Sequence, residues 1–218
     1  MEKGKYLEIV KHYESCLEKH GDTHLGVDWP NAEDVDIRHA IMLELIRKES
    51  VSVSLLDFGC GLSHLYEYIL KHKIDTITYS GLDISQKFIA LSKKKFPGND
   101  YYCLNVLEDE WNMNFDYLVL NGVFTEKRGL TFDEMFHYFK KMLKKTFMLS
   151  NKGVAFNVMS KHVDWEREDL FHLPFDILAE FLTKELTRNY VIRCDYGLFE
   201  YTVYLYKDKY LGDISCRK

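Results

Sequence analysis

The sequence has few of the residues that join separate domains or that build covalent frameworks. It contains only three prolines in 218 residues, and no Gly/Ser-rich stretch could serve as a linker. Its five cysteines are odd in number and include no C-x-x-C pair, which favours neither a disulfide framework nor a zinc site. The length and the missing linkers therefore predict a single domain.

Long apolar runs and an excess of basic residues are also missing. No uninterrupted apolar run approaches the roughly 18–20 residues that span a bilayer, and Lys and Glu interrupt the first apolar residues, where a signal peptide would be apolar. We therefore expect a cytoplasmic protein without a membrane partner. The net charge is −5 and the lysines are scattered, whereas nucleic-acid binding depends on a basic surface. No nucleic-acid partner is expected.

From position 51 onward, short apolar runs alternate with amphipathic stretches, which is the pattern of a parallel sheet with helices on both faces. The predicted strands are Val51–Phe58, Thr76–Leu82, Asp100–Leu104, Phe115–Leu120, Lys152–Met159, Tyr190–Asp195 and Glu200–Tyr206. The predicted helices among them are Leu62–His72, Ser85–Lys95, Phe132–Phe147 and Pro174–Leu186. Because no helix separates the last two strands, we expect them to be antiparallel.

The first fifty residues add two predicted helices, Tyr6–Lys19 and Glu33–Glu49, joined by a polar loop. The expected fold is therefore α/β: a Rossmann-like, doubly wound, seven-stranded sheet, mostly parallel with an antiparallel last strand, plus N-terminal helices that form a lid. Residues 1–50 would be this helical cap, and residues 51–210 the ligand-binding part of the same domain.

The turn after the first predicted strand is suited to a close approach by a ligand. It reads Asp57-Phe58-Gly59-Cys60-Gly61, and its two glycines let the backbone come nearer to a ligand than a Cβ would allow. A dinucleotide site requires a third glycine where His64 stands, and a phosphate-binding P-loop requires G-K-[ST], which is absent. Asp57 suits a ligand that carries an ammonium and a sulfonium rather than phosphates.

A second carboxylate, Asp83, ends the next predicted strand. Ligands of such sheets bind outside the carboxyl ends of the strands. A carboxylate at that place can accept charge-assisted hydrogen bonds from both hydroxyls of a ribose. The position of Asp83 therefore predicts a site for an adenosine-containing ligand.

These motifs resemble those of the class I S-adenosylmethionine-dependent methyltransferases: Asp57-x-Gly59-x-Gly61, then Asp83, then Asn105 after the third strand, and the antiparallel strand pair at the end. The resemblance spans residues Val51–Lys207. A closer resemblance is to a bacterial subgroup of small, largely uncharacterised methyltransferases that are associated with surface-polysaccharide or secondary metabolism. Its signals are His20-Gly21-Asp22, Trp29, Arg38 and Val154-Ala155-Phe156-Asn157.

The resemblance implies that S-adenosyl-L-methionine is the cofactor. The implied cofactor-binding residues are Arg38, Asp57, Phe58, Gly59, Cys60, Gly61, Asp83, Ile84, Asn105, Val106, Asn121 and Gly122. The glycine turn would pass the methionine moiety, Asp83 would hold the ribose, and Ile84 would pack on the adenine. Asn105, where the family more often has Asp, and the backbone around Val106 would reach the adenine edge. Asn121 would line the place where cofactor and acceptor meet, and Arg38 would pair with the cofactor carboxylate, because a guanidinium matches it bidentately.

Methyl transfer from a sulfonium is an in-line displacement, and a hydroxyl acceptor benefits from a general base. The candidate catalytic bases are His162, after the fifth predicted strand, and His20 and His24 in the N-terminal loop. The turn that starts at Asn121 lacks the prolines of the N-P-P-[YF] turn found in enzymes that methylate exocyclic amines of bases or glutamine. No metal-binding cluster is evident. We expect a metal-independent transfer to an oxygen of a small sugar-, nucleotide- or phosphoryl-linked metabolite.

Two other interpretations stay open on the sequence. A non-catalytic S-adenosylmethionine-binding regulator or partner subunit would keep the same cofactor residues, and turnover in an acceptor screen would separate it from an enzyme. A nicotinamide-dependent oxidoreductase is disfavoured by His64 in place of glycine, and a titration with NADH tests it. Both a monomer and a homodimer are compatible with the sequence.

Overall fold

The structure, a computed structural model, describes residues 4–47 and 51–209. Within these ranges the strands are β1 Val53–Phe58, β2 Ile77–Asp83, β3 Asp100–Cys103, β4 Phe115–Leu120, β5 Ser150–Met159, β6 Tyr190–Arg193 and β7 Glu200–Tyr206. The α-helices are α1 Leu7–His20, α2 Ala32–Leu43, α3 His64–Lys71, α4 Gln86–Lys95, α5 Phe132–Leu149 and α6 Phe175–Glu185, and a short 3-10 helix covers His24–Val27.

The strands form one sheet in the order β3-β2-β1-β4-β5-β7-β6. Pairing is parallel from β3 through β5, while β7 runs antiparallel to both β5 and β6. This arrangement confirms the predicted seven-stranded, mostly parallel sheet with an antiparallel terminal pair. The strand order reverses between β1 and β4, and sheets of this kind bind ligands beside that point.

Helices cover both faces of the sheet because its central strands are apolar on both sides. In β4, Leu118 and Leu120 face a core shared with α5 and α6, whereas Tyr117 and Val119 face a second core shared with α2, α3 and α4. Side chains alternate between the faces of a strand, so a continuous apolar run requires a cover on each side.

Helix α5 begins at a capping box: Thr131 accepts a hydrogen bond from the backbone N–H of Glu134, and the Glu134 carboxylate accepts one from the backbone N–H of Thr131. Its apolar face places Phe139, which is fully buried, against Phe124, Phe156 and other rings. The cap and the apolar face together fix where α5 starts and which side packs on the sheet.

Some predicted boundaries were wrong. Helix α2 ends at Leu43 and does not continue toward Glu49, because the chain turns there to bury Leu45, whose carbonyl accepts a hydrogen bond from the Tyr206 hydroxyl. Helix α3 begins at His64 because Ser63 adopts a left-handed φ of 58°. The predicted ends at Glu49 and at residue 210 lie outside the described residues. In the part of the chain that the structure describes, no helix has the length and apolar character needed to cross a membrane.

Candidate cofactor and active site

A cavity lies at the carboxyl ends of the parallel strands, beneath α1 and the loop that follows it. Eleven of the twelve residues predicted to bind the cofactor line it: Asp57, Phe58, Gly59, Cys60, Gly61, Asp83, Ile84, Asn105, Val106, Asn121 and Gly122. Arg38 is not among the lining residues. The topology brings these residues together because each lies at or just after the end of β1, β2, β3 or β4.

The glycine turn after β1 forms the floor of the cavity. Gly59 has a φ of 75° and Gly61 a φ of 50°, in the left-handed region that side chains disfavour. A Cβ placed on Gly59 would lie 2.7 Å from Cγ2 of Val123, which is closer than non-bonded carbon atoms approach each other. A side chain at Gly59 would therefore distort the turn. Without one, the backbone of the turn is accessible to a ligand in the cavity.

Asp83 holds the glycine turn against the end of β2. Its carboxylate accepts hydrogen bonds from the backbone N–H of Gly61, at 3.0 Å, and from that of Ser85, at 2.8 Å. Burial raises the pKa of Asp83 to about 6, against the lowering effect of these N–H donors. Each oxygen keeps a further lone pair, so the carboxylate can accept additional hydrogen bonds from a ligand in the cavity.

Asp57 lies deeper and has a different partner. Its Oδ2 accepts a hydrogen bond of 2.8 Å from the Tyr79 hydroxyl, and the residue is 4% exposed. Burial, with a smaller contribution from the charge of Asp83, raises the pKa of Asp57 to about 7, while the Tyr79 hydrogen bond acts in the opposite direction. A ligand cation near Asp57 would favour its charged form.

The raised pKa of Asp57 gives a testable dependence of stability on pH. The folded protein holds the Asp57 proton more tightly than the unfolded chain, whose pKa is 3.8. The resulting stabilisation is complete below that value and is lost as the pH rises toward about 7. Since an asparagine amide does not titrate in this range, Asp57→Asn should reduce the fall in unfolding free energy between about pH 5 and pH 8 by about 1 kcal/mol or more.

The measurement is urea denaturation of both proteins at the two pH values. Asp116→Asn is the matched control, because hydrogen bonds from Ser54 lower the pKa of Asp116 despite its partial burial. The titration of Asp116 is complete below this pH window, so the control should show the same change in unfolding free energy between the two pH values as wild type. Equal slopes in wild type and Asp57→Asn would contradict the burial argument.

The end of the cavity beside β2 and β3 is apolar, with Ile84, Leu104 and Val106 in its lining. Asn105 lies there too, but its amide is partly engaged: Nδ2 donates to the Tyr6 hydroxyl at 2.6 Å, and Oδ1 accepts from the backbone N–H of Leu107 at 3.2 Å. The apolar space suits an aromatic base.

Helix α1, together with Tyr6 just before it, supplies lining residues that the sequence analysis did not name as cofactor contacts. Tyr6, Ile9 and Val10 contribute to the cavity, as does Tyr13, whose hydroxyl donates to the carbonyl of Gly122 at 3.1 Å. The apolar stripe of the predicted first helix was the available signal. It shows that a face is buried but does not show which part of the protein covers that face.

Arg38 is engaged elsewhere. Its Nε donates to both carboxylate oxygens of Glu200, at 3.0 and 3.1 Å, and its guanidinium lies 5.3 Å from the centroid of the Trp29 ring. Glu200 Oε1 also accepts from Nδ2 of Asn157, and Asn157 Oδ1 accepts from the backbone N–H of Gly122. Arg38 is thus tied through buried groups to the turn after β4 rather than placed in the cavity wall.

Comparison with known proteins identifies this architecture. A family model described as a methyltransferase domain matches residues 56–146, which include Asp57, the glycine turn and Asp83. The match covers 91 of the 218 residues and supports the resemblance to the class I S-adenosylmethionine-dependent methyltransferases. The cofactor that this family uses is S-adenosylmethionine, and the enzyme is a methyltransferase, as the sequence motifs predicted.

Individual relatives agree with the family assignment. A Mycobacterium tuberculosis protein named as a methyltransferase is 25% identical over 159 residues, which are 71% of this chain and 93% of that protein. The N-methyltransferase NodS from Bradyrhizobium japonicum, solved with S-adenosylhomocysteine, aligns with a TM-score of 0.62 at 14% identity over 90% of this chain and 96% of its own. The plantazolicin methyltransferase BpumL, also solved with S-adenosylhomocysteine, aligns with a TM-score of 0.62 at 17% identity over 95% of this chain and 98% of its own. At these identities the two structures show that the methyltransferase shares their fold.

The three histidines proposed as bases of the methyltransferase do not line the cavity in this structure. His162 is exposed and stacks on Phe175, with ring centroids 5.3 Å apart. His24 lies in the 3-10 helix, where Nδ1 contacts the carbonyl of Trp29 at 2.6 Å, and His20 ends α1. Two other histidines, His39 and His64, line the cavity instead.

A cluster of charged groups joins the cap of the methyltransferase to the loops beyond β4 and β5. Arg128 contacts the carboxylates of Glu126, Asp28 and Asp169, and its guanidinium also contacts the His12 ring. His12, Cys16 and Asp28 present possible metal-ligand atoms within 4.8 Å of one another. Because the Arg128 cation already contacts His12 and Asp28, this group is explained as an ion-pair cluster between the cap and the loops.

Proposed function

We propose that the protein transfers a methyl group from S-adenosylmethionine to an oxygen of a small sugar-, nucleotide- or phosphoryl-linked metabolite. The observation that carries the proposal is the position of Asp83, whose buried carboxylate borders the cavity and is hydrogen-bonded to the glycine turn. The proposal places the ribose on Asp83, the adenine between Ile84 and Val106, and the methionine moiety along the glycine turn.

The cavity residues fit this cofactor on three structural grounds. A Cβ on Gly59 would disturb the turn, and the glycine leaves the backbone at this position accessible to a ligand. Both side-chain polar atoms of Asn121 are buried without a hydrogen-bond partner in the described chain, which leaves an amide for a ligand. Among the described lining residues none is Lys or Arg, while two carboxylates are present. An excess of carboxylates over Lys and Arg in the lining favours a ligand with a positively charged sulfonium.

The bound cofactor would supply an electrophilic methyl group on a sulfonium. The residues of the chain would hold and orient the reactants: Asp83 would fix the sugar, and Asn121 and Gly122 would border the path to the acceptor. Tyr13 and Trp29 line the same cavity and would exclude water from it. Orientation of this kind contributes roughly 7–11 kcal/mol in well-arranged reactions.

A second hollow in the described part of the chain supports a small anionic acceptor. The loop that starts at Asn121 continues into a hollow whose lining includes Lys127, Lys161 and Arg167. These cations are paired with carboxylates or carbonyls of the same loops, and such contacts can exchange for a phosphoryl group. The absence of the two prolines after Asn121 supports an oxygen rather than an exocyclic amine as the acceptor.

Titration with S-adenosylhomocysteine by calorimetry tests the cofactor site. Asp83→Ala should weaken binding by about 1–3 kcal/mol, because the ribose would lose its acceptor and the glycine turn its anchor. Asp116→Ala is the matched control: Asp116 also accepts hydrogen bonds from a backbone N–H and a hydroxyl, but it lies on β4 away from the cavity lining. Equal affinity in wild type and Asp83→Ala would overturn the assignment of Asp83.

The acceptor is tested separately by S-adenosylhomocysteine release from S-adenosylmethionine with matched acceptors: a sugar, its phosphate and its nucleotide conjugate. The proposal predicts turnover with the phosphoryl-bearing members and the new methyl group on oxygen. Methylation of an amine or of a protein would contradict the proposed acceptor class. Saturable cofactor binding without turnover across a broad acceptor panel would favour a non-catalytic subunit.

A further inference from the structure

The cavity contains a buried histidine that the proposed function does not yet use. His39, on α2, is 2% exposed and belongs to the cavity lining. Its Nδ1 is buried without a hydrogen-bond partner in the described part of the chain. A buried donor or acceptor that stays unpaired costs about 1–3 kcal/mol, so proteins rarely leave one without a function.

His39 lies beside Trp29 and Tyr68, near the turn after β4. Its ring is 5.5 Å from the Trp29 ring and 5.6 Å from the Tyr68 ring, measured between centroids. Trp29 also covers the turn after β4, since a Cβ on Gly122 would lie 3.5 Å from its Nε1. Asn121, the neighbour of Gly122, presents the other unpartnered polar atoms of the lining. The unsatisfied groups are therefore concentrated at one end.

The two ends of the cofactor differ in the same way. The adenosine end is flat and largely apolar, whereas the amino-acid end carries an ammonium and a carboxylate. A cavity with one apolar end and one end of unpartnered polar atoms can accept this molecule in one direction only. The amino-acid group would then lie beside His39 and Asn121.

The charges near His39 decide which part of that group it meets. Burial, together with electrostatic interactions with His64 and Arg38, lowers the pKa of His39 to about 3, although Asp36 acts in the opposite direction. The ring is therefore a neutral imidazole with one N–H donor. A carboxylate can accept a hydrogen bond from this N–H, and the ligand ammonium is favoured on the side of Asp57.

We propose that His39 donates a ring N–H to the carboxylate of the cofactor's amino-acid end and that the Asn121 amide faces the ammonium of the same group. This inference rests on the proposed cofactor site. It assigns the carboxylate to His39 in place of its neighbour Arg38, whose Nε is occupied by Glu200. His39 is thus a specificity-determining residue that distinguishes the complete cofactor from a form without the carboxylate.

The test compares S-adenosylmethionine with decarboxylated S-adenosylmethionine, which differ only in the carboxylate, by calorimetry on the full chain. His39→Phe keeps an aromatic ring between Trp29 and Tyr68 but removes the N–H. We expect about tenfold or greater loss of affinity for S-adenosylmethionine and an affinity for the decarboxylated form within about twofold of wild type. His39→Asn, which keeps an N–H donor near the position of Nδ1, should recover part of the loss.

Each alternative outcome has a definite meaning. An equal loss for both ligands in His39→Phe would show that His39 only shapes the cavity, and unchanged binding of both would show that it makes no ligand contact. Either result overturns the inference. So would a wild type that binds S-adenosylmethionine no more tightly than its decarboxylated form. If His39→Phe does not fold, His39→Leu replaces it, because leucine fills much of the same space and has no N–H donor in its side chain. A wild type that binds neither ligand would instead overturn the proposed function itself.

Discussion

Gly59→Val is expected to lower the affinity for S-adenosylhomocysteine by about 100-fold or more. The substitution places a β-branched side chain at a φ of 75°, where such residues are strained. Its Cβ would also lie 2.7 Å from Cγ2 of Val123. The turn must therefore move, and the Asp83 hydrogen bond to Gly61 moves with it. Calorimetric titration together with a thermal melt measures the effect on binding and on folding.

Gly197→Val is the matched control for Gly59→Val. Gly197 has a φ of 77° but lies in the turn before β7, and no atom lies within 4 Å of the position that its Cβ would take. The control therefore carries the backbone strain without the collision and without a place in the cavity. It should lower the melting temperature and keep the wild-type affinity for S-adenosylhomocysteine. Equal loss of affinity in both variants would mean that general destabilisation, not the turn, explains the result.

Glu200→Ala is expected to reduce the free energy of unfolding by about 3–5 kcal/mol. The Glu200 side chain is 3% exposed and the Arg38 side chain 14%, so the variant would leave a cation mostly buried without its partner. Asn157, which is fully buried, would lose the acceptor for its Nδ2 as well. Urea denaturation measures the loss.

Two further variants show whether the buried charge is the cause. Glu185→Ala removes the carboxylate of an exposed pair with Lys144, and such pairs contribute about 0–1 kcal/mol. Arg38→Met in the Glu200→Ala background removes the unpaired cation and should restore part of the lost stability. If the two substitutions simply add, Arg38 and Glu200 do not act as a pair, and the proposed coupling between them is wrong.

The Arg38–Glu200 pair also connects stability to the cavity. Through Asn157 it reaches the backbone N–H of Gly122, and the Gly122 carbonyl accepts from Tyr13 on the cap. The turn after β4 is therefore held from the sheet on one side and from α1 on the other. Since Asn121 and Gly122 line the cavity, a loss of this support would alter the site as well as the core.

Much of the fold was predictable because its signals are local. The change from helical to strand periodicity at position 51, and the apolar run Phe115–Leu120, depend only on neighbouring residues. The end of α2 was not predictable in this way. It depends on Leu45 being buried and on its carbonyl meeting Tyr206, which is 161 positions away along the chain.

The candidate site divides along the same line. By itself the sequence determined the glycine turn, Asp57 and Asp83. The end of a strand and a close approach of the backbone can both be recognised from neighbouring residues: an apolar run, then a carboxylate or glycines. Only the tertiary structure decided which of Arg38 and His39 lines the cavity. Neighbouring residues on a helix point roughly 100° apart, so the docking of α2 decides which of the two faces the cavity. That docking directs Arg38 to Glu200 on the distant strand β7 and His39 to the cavity, and no local pattern records it.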